Sequence, residues 1–244
     1  MVLTSALYLT FLVGILFLYY ILPKKMQWLV LTIASISFMV YSIQNPLVYL
    51  VIAYGILVTF IGGIAIENTI DDRKKDRRKV ITIILVLVEL IALKYLNFFE
   101  ITINAVRGTD VQNEGVKAIS MLAPLGVSFY TLISIGYVLD VARKTARAQR
   151  NLIKYILFVL YFPQITSGPI TRYSEMKEQL YTSHDFKFKN ICFGFQRIIW
   201  GLFKKLVISE RMAILVNTIF DNYTDYSGLY IIVRSSGICL PIIY

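Results

Sequence analysis

Long apolar runs separated by short polar turns set the pattern of this chain. Residues 2–22 carry no charge and, at about 1.5 Å per helical residue, are long enough to cross about 30 Å of hydrocarbon. No basic residue precedes that run, and Pro23, Lys24 and Lys25 follow it where a signal peptide would carry a small-residue cleavage site. It reads as a retained span. Further spans are predicted at 26–43, 47–66 and 80–99, and a fifth apolar run covers 119–139. Asn45 and Pro46 predict a tight turn between the second and third, because proline lacks an amide proton and biases its predecessor away from helix. The stretch DDRKKDRRK at 71–79 reads as an aqueous loop.

Basic residues follow the odd-numbered spans. Lys24 and Lys25 come after the first, six basic residues between Arg73 and Lys79 after the third, and Arg143, Lys144, Arg147 and Arg150 after the fifth. The turn after the second span has none, and the loop after the fourth carries only Arg107 and Lys117. The positive-inside rule therefore predicts cytoplasmic exits for spans one, three and five and an N-terminus facing outward.

The next apolar stretch, 152–166, is short and runs into Phe162-Pro163-Gln164-Ile165-Thr166-Ser167-Gly168-Pro169. Two prolines and a glycine there forbid a regular helix. Basic residues flank it on both sides, Arg150 and Lys154 before and Arg172, Lys177, Lys187 and Lys189 after. A re-entrant hairpin that enters and leaves from the cytoplasm fits this charge pattern, with its broken backbone covered by protein. From 186 to 206 the sequence FKFKNICFGFQRIIWGLFKKL spaces basic residues through aromatic and aliphatic ones, as a helix lying in the membrane interface does. The fold class expected is all-α: a polytopic membrane helical bundle with a re-entrant hairpin and an interfacial amphipathic helix, incomplete at its C-terminal side.

Composition agrees on the solvent and narrows the partners. A hydrophobic fraction of 57% exceeds the roughly 45–50% of ordinary soluble domains. Topology and attraction to anionic lipid account for the net charge of +10, and no soluble basic domain points to nucleic acid. Two cysteines, Cys192 and Cys239, have neither disulfide-framework nor metal-ligand spacing. No metal site and no bound cofactor is expected. The chain's one histidine, His184, stands in the polar string Thr182-Ser183-His184-Asp185-Phe186 and reads as a solvated loop residue.

Several strings carry a resemblance: Lys94-Tyr95-Leu96-Asn97-Phe98-Phe99, Ala123-Pro124-Leu125-Gly126-Val127-Ser128-Phe129-Tyr130, Asp140-Val141-Ala142-Arg143, and Phe162-Pro163-Gln164 through Gly168-Pro169-Ile170-Thr171-Arg172-Tyr173. Gly194-Phe195-Gln196-Arg197 and Gly201-Leu202-Phe203-Lys204-Lys205-Leu206 add to them. Together they resemble the N-terminal part of the membrane-bound O-acyltransferase family, in its bacterial branch of alginate O-acetylation and teichoic acid D-alanyl transfer. The resemblance implies an enzyme of the bacterial cytoplasmic membrane that takes an acetyl or D-alanyl group from a cytoplasmic donor, an acyl-CoA or acyl carrier, toward a cell-envelope polysaccharide or teichoic acid. It further implies membrane lipids, an acyl carrier protein and an extracytoplasmic acyltransferase as partners.

The family holds a histidine on a later membrane helix to be catalytic, preceded by an Asp-Phe-Ser-Gly-Tyr motif. Asp225-Tyr226-Ser227-Gly228 imitates that motif too soon after Lys204-Lys205, and His184 lies on the cytoplasmic side, out of reach of an outer acceptor. No catalytic residue is therefore assigned. Residues 1–233 read as the N-terminal part of the acyltransferase domain, and 234–244 as an aberrant or truncated tail, leaving an expectation of inactivity. The candidate site residues are Pro163, Gln164, Gly168, Pro169 and Arg172, lining a donor channel in the re-entrant loop, where the fork of Arg172 suits a donor phosphate. Lys204 and Lys205 are candidates for contact with a carrier or with headgroups. The alternative functional classes are a non-catalytic membrane subunit and a transporter-like protein. Asp140 and Arg143, spaced i and i+3, suggest a local ion pair. Glu89 is an intramembrane charge with no evident partner.

Overall fold

A computed structural model describes residues 6–43, 47–107, 126–165 and 168–211. Every regular element among them is helical: α1 (Ala6–Ile21), α2 (Gln27–Ser42), α3 (Leu47–Glu67), α4 (Asp72–Arg107), α5 (Val127–Ala142), α6 (Leu152–Val159), α7 (Tyr173–Tyr181) and α8 (Phe188–Phe203). A 3-10 turn at Lys24–Met26 precedes α2, and a π-helical stretch, Lys204–Ser209, extends α8. The all-α class holds. The predicted Asn45–Pro46 turn, the 119–125 part of the fifth run, Asp225 to Gly228, Cys239 and the 234–244 tail lie outside the described residues.

The first three helices follow the predicted spans to within a few residues. Among the described residues, α3 is the helix long and apolar enough to cross a membrane by length and composition. Its 21 residues extend about 32 Å. The charged 71–79 stretch departs from the expected loop: from Asp72 onward it is the first part of α4. Lysine and arginine are good helix formers, Asp71 Oδ1 accepts from the Arg73 amide at 3.0 Å, and Asp72 opposes the dipole of the first turn. Lys79 donates to Asp76 at 2.6 Å and so holds that exposed carboxyl below its usual range.

The chain divides into two compact units, residues 10–184 and residues 2–9 with the chain from 185 onward. In the first, α3, α4 and α5 pack against one another. Small residues on α3 permit the approach: a Cβ built on Gly63 would stand 2.6 Å from the Tyr137 ring of α5. Helix α2 packs on α6, where Phe38 and Phe162 rings meet at 6.2 Å and Phe11 of α1 stands edge-on to Phe162 at 5.5 Å. In the second unit, α8 buries no side chain within the unit as described. Trp200 stacks on Phe203 at 5.3 Å, with the Lys204 ammonium 5.7 Å from the Trp200 ring.

Candidate functional site

The candidate loop begins where α6 stops. Pro163 cannot continue the helix, and the amides of Gln164 and Ile165 both turn back to the Tyr161 carbonyl, at 2.9 and 3.2 Å. The Gly168 amide then reaches the Gln164 carbonyl at 3.0 Å. A side chain at Gly168 would meet the Gln164 backbone at 2.5 Å, so the turn admits only glycine. The Phe162 amide donates to Ser35 Oγ of α2 at 3.2 Å. From the other side Gly126, at φ +79°, lies so close to the Ile165 carbonyl that a Cβ would collide with it.

Within this frame the candidate residues take different positions. Gln164 is buried, its amide donating to Thr171 Oγ1 at 3.0 Å and lying 3.2 Å from Met176 Sδ, so it knots the loop to α7. Pro163 and Gly168 are half-buried, whereas Pro169 and Arg172 are exposed. Arg172 precedes α7, and its carbonyl accepts from the amides of Glu175 and Met176. Lys204 and Lys205 belong to the second unit; Lys205 is exposed and Lys204 half-buried.

Beneath the loop lies a buried tyrosine layer. The Tyr137 ring stands 4.6 Å from Tyr155 and 5.0 Å from Tyr173. Tyr155 donates to Thr59 of α3 at 2.7 Å. Gln149 binds the layer to the basic loop after α5: its amide donates to Tyr137 Oη at 3.0 Å and its side chain to Tyr173 Oη at 3.1 Å. Glu67, at the end of α3, accepts from the Ala148 amide at 3.1 Å and pairs with Arg150 at 3.0 Å. Tyr181 donates to the Lys154 carbonyl at 2.8 Å, and the Lys154 ammonium stands 5.4 Å from the Trp28 ring and 5.2 Å from Tyr181. Burial pushes the Tyr173 and Tyr181 hydroxyls above the usual tyrosine value.

The sequence pattern does not expose these contacts, since a glutamine or tyrosine looks alike in the sequence whether it is tied down or free. Gln27 is the sharpest instance. It is 3% exposed, and its amide clamps the backbone of His184 in both directions, at 2.8 Å to the amide and 3.0 Å to the carbonyl. The His184 ring is exposed, with Nδ1 3.1 Å from Tyr19 Oη. Asp140, expected to pair with Arg143, uses its carboxylate on the Ser174 amide at 3.2 Å and so holds the start of α7.

The chain is 33% identical over 135 residues to a probable alginate O-acetylase of Pseudomonas syringae, covering 55% of this chain and 26% of that protein. To the probable alginate O-acetylase of Pseudomonas aeruginosa it is 29% identical over 223 residues, covering 86% and 40%. To a peptidoglycan O-acetyltransferase of Helicobacter pylori it is 26% identical over 230 residues, covering 82% and 41%. No protein-family model matches the chain, and no solved structure does. Its homologues are members of the membrane-bound O-acyltransferase family, which confirms the resemblance carried by the motifs. The chain spans between about a quarter and two-fifths of the length of these relatives.

Proposed function

We propose that this chain is the donor-side part of a membrane O-acyltransferase that moves an acetyl or D-alanyl group from a cytoplasmic acyl-CoA or acyl carrier toward a cell-envelope polysaccharide or teichoic acid. The observation that carries the reading is the alignment of 86% of the chain with an alginate O-acetylase. Helices α1 to α5 supply the spans of a bundle in the bacterial cytoplasmic membrane, N-terminus outward. Residues 152–169 form a re-entrant hairpin. Burial of Leu160, Phe162, Gln164 and Ile165 supports this, because irregular backbone at membrane depth needs a protein cover.

In this reading the exposed Arg172, beside Pro169, receives the phosphate of the donor, while Gln164 and Gly168 hold the loop in shape. Helix α8 lies in the interface, its basic residues toward headgroups, and Lys204 and Lys205 meet an acidic carrier. His184, with its backbone clamped by Gln27, shapes the loop and does not act as the base. The 244 residues then hold the approach of the donor but no catalytic imidazole, and on their own they do not turn over.

Acyl transfer from a labelled donor tests this, measured in membranes holding the chain alone and again with the histidine-bearing later helices of an alginate O-acetylase supplied separately. Activity is expected only in the second case, and Arg172→Ala raises the donor KM about tenfold or more there, the loss of a charge-assisted hydrogen bond. Turnover by the chain alone, abolished by His184→Ala, would refute the assignment.

A further inference from the structure

Glu89 sits midway along the apolar stretch 80–99 of α4 and is 8% exposed. Tyr130 of α5 donates to its Oε1 at 2.9 Å. The other oxygen, Oε2, is buried and has no hydrogen-bond partner. A Cβ built on Gly55 of α3 would stand 2.7 Å from Oε2, so the carboxyl lies directly against the backbone of that helix. Between α3 and α4 a cleft of about 410 Å³ reaches the same carboxyl, walled by Leu50, Tyr54, Leu85, Val88 and Leu93. Tyr54, Leu85 and Val88 are each more than two-fifths exposed, so the cleft opens on the outer surface of the helix pair.

Few groups face this carboxyl. Tyr54 comes from α3, Tyr130 from α5, and Lys94 lies five positions along α4. The Lys94 ammonium is engaged elsewhere, 3.4 Å from Ser128 Oγ and 5.6 Å from the Tyr95 ring. Among the described residues no cation pairs with Glu89. An ionised carboxylate at hydrocarbon depth with a single hydrogen bond is strongly disfavoured and takes a proton instead. Since Oε1 already accepts from Tyr130, the proton belongs on Oε2, the atom with no partner.

We infer that the α3–α4 cleft is a binding site at which Glu89 presents a protonated carboxyl to a hydrophobic ligand entering sideways from the bilayer. The ligand class is an apolar molecule with one hydrogen-bond acceptor, such as the ester carbonyl of an acyl lipid. The inference rests on α4 being a span and not on acyl transfer.

Dicyclohexylcarbodiimide is the probe, being apolar and reactive toward protonated carboxyls. One of its nitrogens takes the carboxyl proton, the carboxylate oxygen adds to its central carbon, and acyl migration to nitrogen leaves a stable N-acylurea, with no leaving group. The whole chain in native membranes is treated, and the adduct is mapped by mass spectrometry, with membrane integration read separately by resistance to alkaline extraction. The adduct is expected at Glu89 and not at Glu67 or Asp140, absent from Glu89→Gln, and lowered about tenfold by Ala92→Phe, which fills part of the cleft. A water-soluble carbodiimide is expected to leave Glu89 unmodified. Integration without an adduct, or equal labelling by the water-soluble reagent, overturns the site alone. Release by alkaline extraction overturns the span and the site together.

Discussion

Tyr137 ties three parts of the first unit together. Its ring is fully buried against Gly63, Tyr155 and Tyr173, and its hydroxyl accepts from the Gln149 amide. Tyr137→Phe keeps the ring but leaves a half-buried amide without its acceptor. A loss of about 1–3 kcal/mol is expected, read as a lower unfolding midpoint in detergent. Gly63→Ala attacks the same ring from α3 by overpacking, with a loss of about 1–3 kcal/mol. Because the built Cβ also meets the Tyr137 hydroxyl oxygen at 2.6 Å, removing that oxygen relieves part of the clash. The double variant is therefore less destabilised than the two losses summed, and a double-mutant cycle measures the difference.

At the scale of elements, the loop between α6 and α7 owes its shape to neighbours distant in sequence. Gly126→Ala places a methyl group where the Ile165 carbonyl stands, at a φ that side chains rarely adopt. It is expected to cost more than about 1 kcal/mol, with proteolytic nicking near 160–172 as its signature. Helix α7 depends on Asp140 for the Ser174 amide, so Asp140→Ala removes about 1 kcal/mol. The tyrosines of α7 set a pH limit. The fold keeps Tyr173 and Tyr181 neutral beyond the point, near pH ~10, where the unfolded chain ionises them. Their contribution is complete below that pH and is lost as pH rises above it. Unfolding midpoints should thus fall in alkali, and fall less in Tyr173→Phe. The break after α6 is legible in the sequence because Pro163, Gly168 and Pro169 act locally. What covers it is not, since Ser35 acts through a contact across more than a hundred positions and Gly126 through a backbone angle, neither of which leaves a periodic signal. The helical start of α4 is hidden for a related reason: charge marks contact with water, and a solvated helix has the same composition as a loop.

At the scale of the whole molecule, hydropathy and charge bear independently on the proposed threading. Under the proposed threading α3, long and apolar enough to cross the hydrocarbon, has its two ends on opposite sides, and the positive-inside rule predicts that the end followed by the basic cluster from Arg73 faces the cytoplasm. Single cysteines test this in a Cys192→Ser, Cys239→Ser background. Asn45→Cys precedes α3 in the sequence, and Lys74→Cys follows it at a side chain 75% exposed. A membrane-impermeant maleimide added to intact spheroplasts should label the first and spare the second, and lysis should open both. Labelling of both before lysis would mean that α3 does not cross, and the reverse pattern would place the N-terminus inside. Either result would also move Arg172 away from a cytoplasmic donor, since only the predicted order of crossings leaves the α6–α7 loop on the side where acyl-CoA and acyl carriers are found. The proposed route of the acyl group therefore depends on the sidedness of two residues that never touch it.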